Sequence, residues 1–251
     1  MIPSSNWPGR QPAAVDNPAG RGAFVLVCDH ASNWVPAELH QLGLPDSQLQ
    51  RHIAWDPGAL ALALQLGRLL DAPLVHATVS RLVLDVNREP GHAGSIVDSS
   101  EDTAIPANRG IDPAERARRV SAIYEPYHRV LAGVVERQAA LHARLQVIAV
   151  HSFTPVFRGQ QRPWHVGILS AADRRMAQPL IELLRQPGDL VVGDNQPYAP
   201  TDGVYHTLER HCNARSLRSV MIELRADLIE TDDARSRWAD RLARALQVCG
   251  G

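Results

Sequence analysis

The chain has 251 residues, of which 45% are apolar and 21% are charged, and its formal net charge is −1. It can build a sizeable core, and it lacks the basic excess of a polyanion binder, so we expect no nucleic-acid partner. All 26 basic residues other than histidine are arginine, which excludes Schiff-base enzymes, pyridoxal-phosphate enzymes and P-loop phosphate binders, since each needs a lysine.

The composition of the chain also bears on its domain number and its location. Residues 1–22 are rich in Pro, Gly and Ala and are predicted to be a loose arm, and residues 23–251 are predicted to form a single domain. The start of the chain lacks the pattern of a signal peptide, no apolar run is long enough to span a membrane, and the three cysteines suggest no disulfide framework. We therefore expect a cytoplasmic protein with no membrane partner.

The predicted elements alternate between strands and helices along the chain. Apolar runs predict strands at residues 24–28, 74–79, 82–86, 147–150, 166–169, 190–192 and 219–224. Helical patterns cover residues 57–70, 113–142, 172–185, 203–215 and 232–248, with kinks or breaks at Pro126 and Pro179. The polar stretch 87–112 is too long for an ordinary connection and is predicted to be a functional loop. This order predicts a three-layer α/β fold, with a mostly parallel or mixed sheet and helices on both faces.

Three of the predicted strands each deliver a reactive residue at or just past the carboxyl end. These residues are His30, His151 and Glu223, the last followed by Arg225. A parallel sheet brings such ends together at one edge, where α/β proteins bind their ligands. Two histidines and an oxygen donor around an open position are typical of catalytic zinc, so His30 and His151 are the predicted ligands of one Zn²⁺ ion.

The third metal ligand has two candidates. Asp56 has the better donor, because a carboxylate binds zinc far better than an amide, and it is preferred. Asn33, three residues after His30, is the alternative ligand. Asp56 also precedes a predicted helix, so a simple role as helix N-cap is an equal alternative for this residue.

Glu223 lies inside an apolar strand, where a carboxylate is costly to bury unless it is paired or close to a metal. The sequence therefore predicts a general base that activates a water at the metal, and the alternative is a buried ion pair with an arginine. Arg81 is a candidate second donor to the oxyanion. The other polar residues predicted to bind substrate, from loops and strand ends, are Asn87, Arg88, Asn195, Tyr198, His206 and Arg225.

Five short motifs, in this order and spacing, resemble the N-formylglutamate amidohydrolase family. They are VCDHASN at 27–33, SRLVLDVNR at 80–88, VHSF at 150–153, NQPY at 195–198 and IELR at 222–225. The family is similar in fold to the zinc carboxypeptidases and the aspartoacylase-like deacylases. The resemblance implies His30 and His151 as zinc ligands, Glu223 as general base, and the pair Asn87–Arg88 as the holder of a substrate carboxylate. Asn33 departs from the pattern, since it stands where the zinc carboxypeptidases have the glutamate of their His-x-x-Glu pair.

The function expected from these observations is metal-dependent hydrolysis of the amide bond of a small N-acyl amino acid, similar to N-formylglutamate. The expected partner is a small-molecule carboxylate, and a homo-oligomer is left open. The first alternative is a zinc carboxypeptidase acting on short peptides or cell-wall fragments. The second is a metal-free binding protein on the same fold, which the departure at Asn33 suggests.

Overall fold

A computed structural model describes residues 10–250, which form a seven-stranded mixed sheet and two short hairpins. The strands are β1 (Ala13–Asp16), β2 (Phe24–Cys28), β3 (Leu74–Ala77), β4 (Ser99–Ser100), β5 (Thr103–Ala104), β6 (Gln146–Phe153), β7 (Val156–Phe157), β8 (Gln160–Gln161), β9 (Val166–Leu169), β10 (Val192–Asp194) and β11 (Arg218–Arg225). The sheet order is β1-β3-β2-β6-β11-β9-β10. Strands β3, β2, β6 and β11 are parallel neighbours, β1 runs antiparallel to β3, and β9 runs antiparallel to β11 but parallel to β10.

Helices cover both faces of this sheet. They are α1 (Asp46–Leu49), α2 (Ala59–Leu69), α3 (Pro113–Arg119), α4 (Glu125–Leu141), α5 (Ala177–Arg185), α6 (His206–Cys212) and α7 (Asp232–Gly250). Helices α2, α5 and α7 pack on one face, and α4 and α6 pack on the other. The three-layer α/β fold predicted from the order of elements is therefore confirmed. Among residues 10–250, no helix has the length and apolar character needed to cross a membrane.

The central strand β6 shows why the strands read as continuous apolar runs. All eight of its residues are buried. Successive side chains of a strand point to opposite faces, so Ile148 and Val150 enter the core under α2 and α7, while Val147 and Ala149 enter the core under α4. A sheet covered on both faces leaves no exposed side where polar residues would alternate with apolar ones.

Three parts of the structure differ from the predicted elements. Residues 82–86 form buried turns and not a strand, because a short apolar run is buried equally well in either form and periodicity does not separate them. Part of the predicted arm is the edge strand β1, which pairs with β3; residues 1–9 of that arm lie outside the described residues. The predicted helices at 172–185 and 203–215 are shorter, and begin at Ala177 and His206.

The helical segment before Pro126 contains a wider turn. Between α3 and α4, Val120–Tyr124 forms a π-helix, so the chain stays helical where a kink or break was predicted. Proline lacks an N–H and its ring crowds the preceding turn of an α-helix. A π turn just before the proline accommodates it without ending the helix.

A pair of buried histidines joins α4 to α6. The Nε2 atom of His128 is 2.9 Å from the Val86 carbonyl oxygen, and its Nδ1 atom is 2.8 Å from Nε2 of His211. A carbonyl can only accept, so His128 donates from Nε2, and His211 donates to His128 Nδ1. Both rings are then neutral. Burial lowers the pKa of His128 to about 3 and that of His211 to about 4.

This pair predicts a loss of stability at mildly acidic pH. In the unfolded chain a histidine binds a proton near pH 6.5, whereas these two stay neutral in the folded protein until the pH approaches their lowered pKa values. The free energy of unfolding should therefore fall as the pH drops below about 6.5, by up to about 1.4 kcal/mol per pH unit for each histidine. In His211→Gln the fall should be less steep by about the share of one group, as measured by urea unfolding at a series of pH values. His40→Gln, at an exposed histidine, should keep the wild-type slope, and equal slopes for all three proteins would contradict the assignment.

Candidate metal centre

The carboxyl ends of β2, β6 and β11 lie side by side, as the sequence predicts. In the β6–β11 register, His151 is the partner of Glu223, and in the β2–β6 register Val27 is the partner of Ala149. His30 follows β2 by two residues. The residues that are far apart in the chain thus reach one edge of the sheet because three parallel strands are neighbours.

Three buried residues at this edge can hold one metal ion. His30, Asp56 and His151 each offer a ligand atom, and these atoms all lie within 4.8 Å of one another. The Asp56 Oδ2 atom is 2.8 Å from His151 Nδ1 and 3.4 Å from His30 Nδ1. Two imidazole nitrogens and a carboxylate oxygen form the donor set of a catalytic zinc site, so the residues present fit such an ion.

Asp56 does not cap the helix that follows it. Gly58 is the N-cap residue of α2 and has no side-chain capping bond, and its left-handed backbone, φ 80°, delays the start of the helix to Ala59. The Asp56 carboxylate instead faces His151 and the Ser152 amide, which is 3.4 Å away. Its own amide donates to the His30 carbonyl at 2.9 Å, so the backbone places Asp56 beside the first histidine.

Asn33, the alternative ligand, is not part of this group. Its side-chain amide donates to the Leu49 carbonyl at 3.0 Å, and the residue does not line the cleft. An amide oxygen at this place would be a weak donor to zinc in any case. The structure therefore favours Asp56 over Asn33 on position as well as on chemistry.

Each histidine also contacts a second carboxylate, through its Nε2 atom. The Nε2 atom of His30 lies 2.8 Å from Asp85 Oδ1, and the Nε2 atom of His151 lies 3.3 Å from Asp29 Oδ2. Arg81 Nη1 is 3.2 Å from His30 Nδ1, and a guanidinium can only donate. His30 Nδ1 is therefore an acceptor, and Nε2 carries the proton that it donates to Asp85. Such carboxylate–histidine pairs fix the ring and its tautomer at metal sites.

The charges of the site favour a cation. Burial alone would raise the pKa of the Asp56 carboxyl, but the neighbouring imidazoles of His30 and His151 outweigh burial and lower it. Burial also acts to raise the pKa of Asp85, and the neighbouring His30 and Arg81 hold it well below its ordinary value. Ionised carboxylates thus lie next to the candidate ligand atoms, where they favour a cation.

Glu223 stands beside the metal group with one oxygen atom unused. Its side chain is buried, and Oε2 has no hydrogen-bond partner among the described residues. Burial raises the pKa of Glu223 to about 7. The alternative of a buried ion pair is wrong, because no arginine in the described part of the chain pairs with this carboxylate. A buried carboxyl with a pKa near neutrality suits an acid–base role.

The cleft above these residues has a volume of about 210 Å³. Besides the metal group and Glu223, its lining includes Arg81, the predicted donor to the oxyanion, and Asn87, Arg88 and Tyr198 from the predicted substrate-binding set. The Asn87 amide is engaged inside the protein: its oxygen accepts from the Thr207 amide at 2.9 Å, and its nitrogen donates to the Val204 carbonyl. Arg88 and Tyr198 therefore present the freer polar groups.

Three other predicted substrate residues are not brought to the cleft. The Asn195 side chain bonds both ways with the Ser170 backbone, at 2.9 and 3.1 Å. His206 bonds through Nε2 to the Tyr124 hydroxyl at 2.6 Å, and Arg225 pairs with Asp227 at 2.9 Å. Each side chain is satisfied by its own neighbours, and none of the three lines the cleft. Their role in binding substrate therefore stays a prediction, and the cleft lining gives it no support.

The long segment predicted as a functional loop, residues 87–112, contributes to the cleft wall but is tied to the core. It contains the hairpin β4–β5, and Gly94, Val97, Ser100 and Glu101 line the cleft. Asn108 anchors its far end, since its oxygen accepts from the buried Arg119 at 2.7 Å. This segment is therefore a fixed wall with its own hydrogen bonds.

Sequence reasoning missed the part played by Asp29. Its Oδ1 atom accepts from the Tyr127 hydroxyl at 2.7 Å and the Thr207 hydroxyl at 2.8 Å, which leaves Oδ2 for His151. The donors come from α4 and α6, on the far face of the sheet. The only local signal was an acid directly before His30, and its partners are visible only in the folded chain.

Comparison with known proteins gives a consistent result. The family model described as N-formylglutamate amidohydrolase matches residues 22–230. The crystal structure of gene product Atu2144 from Agrobacterium tumefaciens is 40% identical, has a TM-score of 0.92, and covers 96% of this chain and 95% of that one. The crystal structure of N-formylglutamate amidohydrolase from Ralstonia eutropha JMP134 is 19% identical, has a TM-score of 0.74, and covers 96% and 97% of the two chains. No curated protein matches.

The carboxylate behind His30 gives a test of the metal site. Asp85→Asn keeps the shape of the side chain but removes the charge that holds His30 Nε2 and balances Arg81. We expect the affinity for Zn²⁺ to fall by about 10- to 100-fold, as measured by competition with a chromophoric chelator. Asp227→Asn makes the same charge change at an exposed carboxylate paired with Arg225 outside the cleft, and should bind as wild type. Equal affinities for Asp85→Asn and wild type would show that Asp85 does not support a metal ligand.

Proposed function

The chain belongs to the N-formylglutamate amidohydrolase family, a family of hydrolases that act on amide bonds, and we propose that it hydrolyses small N-acyl amino acids of the N-formylglutamate type with a zinc ion held by His30, Asp56 and His151. The observation that carries this proposal is the position of Glu223. A buried carboxyl with an unused oxygen lies in register with one of the three candidate ligands.

The candidate ligands would hold the ion through His30 Nδ1, His151 Nδ1 and an Asp56 oxygen, since the opposite ring nitrogens are bonded to Asp85 and Asp29. A bound Zn²⁺ ion supplies a Lewis acid that polarises the substrate carbonyl and makes water more acidic. The chain itself supplies the means of holding the substrate and moving the proton.

Glu223 is the proposed general base. Its carboxylate takes a proton from the water that attacks the acyl carbonyl carbon. The tetrahedral intermediate then breaks its C–N bond, and Glu223 returns the proton to the leaving nitrogen. The products are the acid of the acyl group and the free amino acid. A base whose pKa lies near the working pH serves both steps, and burial brings the pKa of Glu223 to about 7.

Two arginines have different proposed parts. Arg88 lines the cleft and binds the carboxylate of the amino acid, because a guanidinium offers paired donors that match a carboxylate. Arg81 lies 3.2 Å from His30 Nδ1 and also lines the cleft, so it is placed to donate to the oxyanion of the intermediate. The expected partner is thus a small carboxylate-bearing molecule.

The two alternatives are less well supported. A metal-free binding protein was suggested by the departure at Asn33, but Asp56 provides an oxygen donor in its place. A carboxypeptidase would share the metal group, and the family to which the chain belongs favours an acyl amino acid over a peptide. Comparing N-formyl amino acids with C-terminal dipeptides as substrates separates the two enzymes.

Glu223→Gln gives the sharpest test of the proposal. The substitution keeps size and hydrogen-bonding capacity but removes the base, so hydrolysis of N-formyl amino acids should fall by about 100- to 10,000-fold. Zinc content, measured by mass spectrometry of the purified protein, should stay at the wild-type level. Glu209→Gln, an exposed glutamate of α6, is the matched control and should keep wild-type rates. Unchanged hydrolysis in Glu223→Gln, or hydrolysis that survives full removal of metal by a chelator, would contradict the proposal.

A further inference from the structure

Two glycines leave space for a loop beside the proposed general base. Gly167 of β9 is the register partner of Glu223 in β11, and Gly193 of β10 is the register partner of Gly167. Register partners direct their side chains to the same face of a sheet, so the row that begins at Glu223 continues as two positions without side chains. A Cβ atom would lie 2.1 Å from the Gln196 carbonyl oxygen at Gly167, and 2.6 Å from it at Gly193. Glycine permits this close approach, which places the loop 195–198 next to Glu223.

Tyr198 ends this loop and lines the cleft together with Glu223 and Arg81. Its hydroxyl accepts a hydrogen bond from Arg162 Nη1 at 3.0 Å, because a guanidinium can only donate. The hydroxyl also has one proton to donate, and no acceptor for that proton lies among residues 10–250. Burial raises the pKa of Tyr198, and the nearby Glu223 carboxyl raises it further. The hydroxyl therefore keeps its proton near neutral pH and is a free donor in the cleft.

Arg162 is fixed behind Tyr198. Its guanidinium lies against the rings of Phe157, Tyr198 and Phe153, at 4.6, 4.8 and 5.7 Å from their centroids. Its backbone amide donates to the Pro155 carbonyl at 2.8 Å. Within the described part of the chain no carboxylate forms an ion pair with this guanidinium, and Arg162 does not line the cleft. Its route to the substrate is thus through the Tyr198 hydroxyl.

The bond from Arg162 sets the direction in which Tyr198 donates. A hydroxyl that accepts from a cation turns its own proton away from that cation, and the bond that it accepts strengthens the bond that it donates. A donor of fixed direction, close to the proposed base, suits an oxygen that gains negative charge during the reaction. Arg81, the other proposed donor, already donates to Asp85 at 2.7 Å.

We propose that Tyr198 is a catalytic residue that donates a hydrogen bond to the acyl oxygen as negative charge develops on it, and that Arg162 is the positioning residue that directs this hydroxyl. This inference rests on the proposed function and adds a second donor beside Arg81. The hydrogen bond is strongest in the transition state, so its loss lowers kcat more than it raises KM.

Tyr198→Phe keeps the ring against Arg162 and removes only the hydroxyl. With zinc-loaded protein and N-formyl-L-glutamate as substrate, kcat should fall by about 10- to 100-fold, while KM stays within about 2-fold of the wild-type value. The zinc content should not change. An unchanged kcat, or a rise in KM alone, would overturn the role given to Tyr198.

A double-mutant cycle tests Arg162. Arg162→Gln should lower kcat by about 5-fold or more in the wild-type background but by less than about 2-fold in Tyr198→Phe, since the arginine acts through the hydroxyl. Arg162→Lys keeps a pure donor and should lose less activity than Arg162→Gln. Arg158→Gln is the matched control: its guanidinium lies 5.3 Å from the Phe157 ring centroid, and the variant should keep wild-type rates. Equal losses from Arg162→Gln in both backgrounds would overturn the positioning role.

Binding of a stable mimic separates this inference from the proposed function. N-methylphosphonyl-L-glutamate carries the charged tetrahedral centre of the intermediate, and its binding needs no turnover. By calorimetry, zinc-loaded Tyr198→Phe should bind it at least about 10-fold more weakly than wild type, and equal affinities would overturn the inference. A wild-type protein that binds the mimic but hydrolyses no N-formyl amino acid would count against the proposed function, and the two affinities would then decide the inference. A wild-type protein that does neither would contradict both.

Discussion

The contact on which the site depends is the approach of one Asp56 oxygen to two imidazoles, at 2.8 Å from His151 Nδ1 and 3.4 Å from His30 Nδ1. Without a cation or a proton, no arrangement of these three buried groups is favourable, because their lone pairs point toward the same small volume. The surrounding fold keeps them in place. Asp85 and Asp29 contact the Nε2 atoms of His30 and His151, and the Asp56 amide donates a hydrogen bond to the His30 carbonyl. The three ligand atoms are thus held close enough together to bind one metal ion.

The part of the site that rests on sheet topology could be predicted from the sequence. Apolar runs ending in His30, His151 and Glu223 needed only the rule that parallel strands present their carboxyl ends together. The choice between Asp56 as ligand and as helix cap could not be made, because Asp-Pro signals a helix start whether or not Gly58 delays it. The second carboxylates, Asp85 and Asp29, lie 55 and 122 residues along the chain from the histidines that they contact. No local sequence pattern predicts partners at such separations.

Three residues predicted to bind substrate lie outside the cleft lining for a common reason. Asn195 and Arg225 are polar residues at the ends of elements near the site, and His206 opens a nearby helix, so proximity in sequence suggested contact with substrate. Each finds a partner close by, and a polar side chain already satisfied inside the protein has little to gain from turning toward a ligand. Residues 82–86 were placed correctly in the core but in the wrong conformation, since burial alone does not distinguish a strand from turns.

X-ray absorption spectroscopy of the zinc-loaded protein tests the central claim most directly, because it reports the atoms bound to the ion without reference to activity. The account predicts a first shell of nitrogen and oxygen alone, at about 2.0–2.1 Å, with the outer-shell scattering of two imidazoles. Substitution of Asp56 by alanine should remove one oxygen scatterer from that shell. A sulfur scatterer near 2.3 Å, or fewer than two imidazoles, would contradict the account.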